Sequence, residues 1–218
     1  MPEASAEFVC AMEEVLDVYE QPYTKEHPVV CLDESPHQLV STQREGFIDS
    51  SGIKRVDYQY KREGTADVFM ICEPKAGKRL IEIRDNHNHE QWAKVIAYIA
   101  EELYKDAKHI TVIQDNLKTH RKAALYRIFV PDRAQAILRR ITFVYTPVHG
   151  SWLNVAEIEL SVLNRVALKE RTQSKEQLIE KIKAYEKEKN AKAAPVNWQF
   201  TTNDARIKLQ QLYPKIKC

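Results

Sequence analysis

Residues 79–115 read RLIEIRDNHNHEQWAKVIAYIAEELYKDAKHITVIQD, and the periodicity of this stretch decides the fold class. Arg79–Arg84 and His109–Gln114 are strand candidates, and between them residues 88–105 set Trp92, Val95, Ile96, Ile99 and Leu103 on one helical face. A helix between two strands is a crossover, so the strands it joins are expected to run parallel. The second strand ends Ile110-Thr111-Val112-Ile113-Gln114-Asp115, β-branched residues running into an aspartate. Upstream, Val29-Val30-Cys31-Leu32-Asp33-Glu34 has the same design, with Pro36 expected to stop it, and Asp67–Cys72 is a further strand. Residues 37–65 between them are polar and read as irregular, apart from a possible edge strand at Tyr58-Gln59-Tyr60. Downstream, the pattern predicts a helix over Thr119–Phe129, a strand over Ile141–Tyr145 and a turn at Pro147–Gly150. A helix capped by Ser151 is expected to run to about Leu168, and a second from Ser174 to Ala194 opens with the capping-box pattern Ser174…Gln177. Near the start, Phe8, Val9, Met12, Leu16 and Tyr19 make residues 3–20 an amphipathic helix. The expected architecture is α/β: a mixed five-stranded sheet flanked by helices. Its divisions are an N-terminal helix and linker (1–27), a main domain (28–194) and a C-terminal extension packed on that domain (195–218).

Composition narrows the function classes. Hydrophobic residues at 44% and charged residues at 29% are globular values, which excludes wholesale disorder, collagen and a disulfide mini-scaffold. No run approaches the ~18 apolar residues of a membrane span, and no basic segment precedes an apolar stretch as in a signal peptide, so a cytoplasmic protein without a membrane partner is expected. Cys10, Cys31, Cys72 and Cys218 form no C-x-x-C pair and read as reduced, mostly buried thiols. Five glycines, with neither G-x-G-x-x-G nor G-x-x-x-x-G-K, argue against a nucleotide-cradling loop; phosphate chemistry here would fall to metals and carboxylates. Residues 1–34 hold one basic against nine acidic residues, a net of −8, which leaves 32 basic against 22 acidic in the remainder. Within that basic body, Lys118, Arg121, Lys122, Arg127, Arg133, Arg139 and Arg140 face only Asp132 in opposition across residues 118–140. This is either a footprint for a phosphate backbone or a solvated helix face beside a basic loop.

In open α/β sheets, sites form beyond the carboxyl ends of strands, where Asp33 and Asp115 stand. One such aspartate commonly just caps a loop or helix, but two, on strands that could be neighbours, point to a hard cation, and oxygen ligands favour Mg²⁺ or Mn²⁺. Glu157 and Glu159 are the candidates for a third carboxylate. On a helical wheel Trp152, Ala156, Leu160, Leu163 and Ala167 form the apolar arc, with Asn154, Glu157, Ser161 and Asn164 together beside it. Periodicity favours Glu157 and turns Glu159 toward the apolar side, where a structural salt bridge or hydrogen bond is expected rather than ligation.

Three blocks carry a resemblance. Cys31-Leu32-Asp33-Glu34-Ser35-Pro36, Asp115-Asn116-Leu117-Lys118-Thr119-His120 and Tyr145-Thr146-Pro147-Val148-His149-Gly150-Ser151-Trp152-Leu153-Asn154-Val155-Ala156-Glu157 resemble the signature blocks of bacterial insertion-sequence transposases related to the mariner group, within the RNase H-like DDE superfamily. The resemblance implies an RNase H-like catalytic domain in which Asp33, Asp115 and Glu157 are the three metal-binding carboxylates, holding a pair of Mg²⁺ or Mn²⁺ ions for phosphodiester hydrolysis and strand transfer of insertion-sequence DNA.

 In that pattern the three carboxylates hold the two ions between them, water attacks in end cleavage, and a DNA 3′-hydroxyl attacks in strand transfer. Asn116, His120 and Asn154 become candidates for supporting the carboxylates or positioning DNA, with His120 equally readable as a buried structural histidine. Lys118, Arg121, Lys122, Arg139 and Arg140 become candidates for the DNA backbone. The implied partners are element-end and target DNA and a second copy assembled on it, with the chain nucleoid-associated when bound. Only 32 residues precede Asp33, so a helix-turn-helix module from a second reading frame or separate chain is expected, unless the chain is a truncated remnant. An inactive or domesticated remnant that binds DNA non-specifically and an RNase H-like nuclease are the alternative functions. His87-Asn88-His89 is a chance match to a nuclease name, and Tyr58, Tyr60, Trp152 and Trp198 read as packing rather than base-stacking residues.

Overall fold

The computed structural model describes residues 4–42, 47–48, 50–55 and 59–215. In chain order the elements are α1 (Ala6–Glu20), β1 (Val29–Thr42), β2 (Phe47–Ile48), β3 (Lys54–Arg55), β4 (Tyr60–Glu73), β5 (Lys78–Arg84), α2 (His89–Tyr98), β6 (Ile110–Gln114), α3 (Ala123–Ile128), α4 (Pro131–Arg139), β7 (Ile141–Tyr145), α5 (Val155–Val166), α6 (Lys175–Lys192) and α7 (Thr202–Lys208). Five strands form one mixed sheet in the order β5-β4-β1-β6-β7, and β2 pairs only with β3. The β1–β4 and β4–β5 pairs are antiparallel, whereas β1–β6 and β6–β7 are parallel. Consequently β5 and β6 run the same way, as the crossover through α2 requires, with β4 and β1 between them.

Alternation along β1 divides the core in two. Cys31 packs with Phe8, Met12 and Leu16 of α1 and with Leu160 and Leu163 of α5. Val30 and Leu32 point to the opposite face, among Trp92, Val95 and Ile96 of α2 and Leu125 of α3. Because helices cover both faces, the central strands are apolar almost without interruption. The N-terminal helix shares the first of these cores, and Tyr19 donates from its hydroxyl to Leu153 O at 2.7 Å. The C-terminal stretch packs on α1: Arg206 makes a paired contact with Glu13, and Trp198 lies 4.7 Å from the Tyr19 ring.

Several expectations are corrected. Pro36 does not end β1, which continues to Thr42 opposite β4. The β1–β6 ladder stops at Cys31, so the later part of β1 is an edge on that side, where a proline's missing donor breaks no second ladder. Residues 37–42 and 60–65 are therefore paired rather than irregular; Tyr58 lies outside the described residues. The helix expected over Thr119–Phe129 is confined to α3, and α4 follows with Pro131 in its first turn. Ser151 begins a 3₁₀ turn, and Asn154 is the cap of α5. At α6, Ser174 accepts from Gln177 N, while the Gln177 side chain reaches back one residue further than a capping box requires, to Gln173 N. No helix among the described residues is long and apolar enough to cross a membrane.

Candidate active site

The parallel pair β1–β6 and the N-terminus of α5 meet at one end of the sheet, and a cleft of about 490 Å³ opens there. Asp33 enters from β1, two residues past the last β6 pairing, and Asp115 is the first residue after β6. Glu157 comes from the first turn of α5. All three line the cleft, together with Asn154, Ser161 and Asn164, the polar edge expected from the helical wheel.

The delivery of Glu157 depends on the segment before α5. Gly150 closes the turn by donating to Pro147 O at 2.8 Å, and a Cβ there would meet Pro147 Cγ at 2.4 Å, so no larger residue fits without a shift. Asn154, only 1% exposed, then holds two elements at once. Its Oδ1 accepts from Ala156 N at 3.1 Å and its Nδ2 donates to Leu32 O at 3.0 Å, which pins the start of α5 to the strand carrying Asp33. Glu159 points elsewhere and accepts from Arg79 at 2.8 Å, with both side chains buried, as expected for a structural ion pair.

Burial raises the Asp33 carboxyl, and the charges of Glu34, Asp115 and Glu157 raise it further, against a hydrogen bond from Glu34 N at 2.9 Å; it is pushed up to about 7. Glu157 Oε2 is buried without a hydrogen-bond partner. Among the described residues lining the cleft there is no lysine or arginine to neutralise these carboxylates. An all-oxygen, anionic donor set with an unpartnered oxygen fits a hard divalent cation. Among the described residues, however, no three His, Cys, Asp or Glu side chains stand close enough to hold one metal ion as they are. Asp33, Asp115 and Glu157 thus share a cleft without meeting at a point.

His120 is buried between two carboxylates. Its Nδ1 lies 2.6 Å from Asp115 Oδ1 and its Nε2 lies 3.1 Å from Glu34 Oε1, both ion-pair distances, although neither contact has hydrogen-bond alignment. Burial pulls the imidazole down, but Asp115 and Glu34 outweigh it and push His120 up to about 9. Trp92 stacks on the ring at 5.6 Å and 19°, and donates from its indole to Gln114 at 2.9 Å. Glu34 is the site residue to which sequence reasoning gave no role. The signal was its place beside Asp33: period-two alternation turns it to the opposite, buried face, where a carboxylate needs a partner.

The remaining expected residues divide. Asn116 is exposed and lines a neighbouring groove with Phe8, Tyr145, Pro147 and His149, rather than the carboxylate cleft. Lys118, Arg121 and Lys122 are exposed on the segment that leaves Asp115. Arg139 and Arg140 lie at the other end of β7: Ile110 pairs with Ile141 there, four residues and about 13 Å from the Gln114–Tyr145 pair. Arg140 donates to the carbonyls of Ala100, Tyr104, Lys105 and Ala107, closing the π-helical turn after α2. Its guanidinium is therefore committed within the fold, at the opposite end of β7 from the cleft.

A family model described as "DDE superfamily endonuclease" matches residues 28–179. Among solved structures, the Mos1 mariner paired-end complex with Mn is similar at 12% identity and a TM-score of 0.59, covering 97% of this chain and 61% of that one. The catalytic domain of Mos1 mariner transposase is similar at 10% identity and a TM-score of 0.55, covering 84% of this chain and 83% of that one. This chain therefore spans about three fifths of the Mos1 chain in the paired-end complex, and at such identities the likeness shows the fold alone. No curated protein matches the sequence.

Proposed function

Because the chain belongs to the DDE superfamily endonuclease family, we propose that it is the catalytic part of a mariner-related insertion-sequence transposase, cutting and joining DNA at element ends. The observation that carries this reading is the cleft itself, where carboxylates from β1, the end of β6 and α5 are gathered without a basic side chain among the lining residues. Asp33, Asp115 and Glu157 are the residues to hold Mg²⁺ or Mn²⁺. Two such ions, when bound, supply activation of an attacking oxygen and stabilisation of the leaving oxygen in an in-line displacement at phosphorus.

The chain's own contribution is placement. Asn154 fixes the start of α5 against β1, so Glu157 and Asp33 keep one spacing. Lys118 and Arg121, exposed just beyond Asp115, are suited to hold phosphates of a strand entering the cleft. The proposal includes two copies of the chain assembled on DNA, in keeping with the paired-end complexes described for Mos1, and a helix-turn-helix partner chain that supplies sequence choice. It also places the work in the cytoplasm, on the nucleoid. The test is nicking of supercoiled plasmid with Mn²⁺ present. The parent chain is expected to nick it and Asp115→Asn is expected not to; equal nicking by both, or cleavage of an RNA–DNA hybrid in preference to duplex DNA, overturns the reading.

A further inference from the structure

We propose that Glu34 is a positioning residue which, through His120, fixes the orientation of the Asp115 carboxylate. This inference rests on the reading of Asp115 as a cation ligand and deepens it. Asp115 follows the last residue of β6 and its side chain is 35% exposed, so the strand alone does not fix its rotamer. One oxygen is engaged from behind: Oδ1 meets His120 Nδ1 at 2.6 Å and accepts a longer contact from Leu117 N at 3.4 Å. The other oxygen is thereby left to the cleft.

His120 can do this only if its ring is held, and three contacts hold it. Trp92 covers one face of the ring, the His120 backbone N–H donates to Leu117 O at 3.0 Å, and Tyr145 donates to His120 O at 3.3 Å. These hold the face of the ring and its backbone, but not its Nε2 edge. Glu34 holds that edge: its side chain is 4% exposed and its Oε1 stands 3.1 Å from Nε2, so the ring is kept between the two carboxylates. Alternation along β1 turns Asp33 and Glu34 to opposite sides of the strand, and Glu34, which also lines the edge of the cleft, reaches His120 beside Asp115. Outer partners of this kind hold metal-ligating carboxylates in place, and their loss typically weakens metal affinity by about 10–100-fold.

The test is Mn²⁺ binding to the full chain without DNA, read from the electron paramagnetic resonance of free Mn²⁺ well below the thermal midpoint. Glu34→Leu is expected to raise the Kd by about 10-fold or more, whereas Glu34→Gln, which keeps the side chain's size and an oxygen facing Nε2, retains most of the affinity. A residue that merely supports the fold would lower the thermal midpoint and leave the Kd where it was, and that result overturns the proposal. Should Glu34→Leu fail to fold, the pair Glu34→Ala and His120→Asn decides. Asparagine keeps a donor toward Asp115 but cannot reach Glu34, so the Glu34→Ala effect is expected to vanish in the double variant; additive effects overturn the relay. Asp115→Asn separates the two claims, since parental Mn²⁺ affinity in that variant removes the cation reading, while its loss together with an unaffected Glu34→Leu removes only the relay.

Discussion

Glu157 and Glu159 sit two residues apart on α5, and replacing each by glutamine is expected to give opposite results. Glu159 and Arg79 form an ion pair at 2.8 Å with side chains 9% and 6% exposed, and the guanidinium also donates to Gly77 O and Ala194 O. Glu159→Gln keeps the volume and one acceptor but leaves the Arg79 charge buried without its counter-charge. Breaking a buried pair from one side costs about 3–5 kcal/mol. At about 2–4 °C per kcal/mol for a chain of this size, the thermal midpoint is expected to fall by roughly 10 °C. Mn²⁺ affinity, measured at a temperature where both proteins are folded, is expected to stay near the parent's. Glu157→Gln removes a charge from a cleft of like charges, so its midpoint without metal is expected to hold or rise while Mn²⁺ binding and plasmid nicking are lost. Calorimetry and Mn²⁺ titration on the two variants read both quantities. Loss of Mn²⁺ binding in folded Glu159→Gln, with binding intact in Glu157→Gln, would refute the assignment of the third carboxylate.

Three further outcomes follow from the same contacts. Asn154→Ala is expected to lose about 1–2 kcal/mol of stability from the missing cap, measured by urea unfolding, and to weaken Mn²⁺ binding because α5 is no longer tied to Leu32. Asp33 and His120 are both raised in the folded chain, to about 7 and about 9, so the folded state holds more protons than the unfolded one. Their contribution is therefore present in acid and is lost as pH rises, through about 7 for Asp33 and about 9 for His120; thermal midpoints in a chelator should fall across this range, with Mn²⁺ most stabilising at its upper end. Replacing Lys118 and Arg121 by alanine is expected to weaken duplex binding for all sequences and make the salt dependence shallower by about 0.9 per lost phosphate contact, whereas Arg140→Ala should lower stability and leave that slope unchanged.

The central sheet was legible because its strands are buried. Ile110–Gln114 and Ile141–Tyr145 carry the apolar signature of strands covered on both faces, and the helix between β5 and β6 showed its buried side through Trp92, Val95 and Ile96. Where β1 and β4 extend beyond the helices the signal disappears: Tyr60–Thr65 are all exposed, so no apolar alternation marks the pairing, and Pro36 misleads because edge position cannot be seen in sequence. In the site, the wheel of α5 favoured Glu157 over Glu159 for the cleft, since helical period and burial are local properties. The contact of Glu34 with His120, and the capture of Arg140 by four carbonyls, join residues more than thirty positions apart, and no local pattern reports them. The charge of Arg140 was visible in the sequence; its commitment inside the fold was not.

The position of a bound divalent cation is read most directly with manganese, by anomalous scattering from a crystal of the parent chain grown with Mn²⁺. The expected result is anomalous density inside the cleft, contacted by carboxylate oxygens of Asp33, Asp115 and Glu157, with Glu159 still on Arg79. Manganese bound outside that cleft at saturating concentration, or held by Glu159 after release from Arg79, would contradict it.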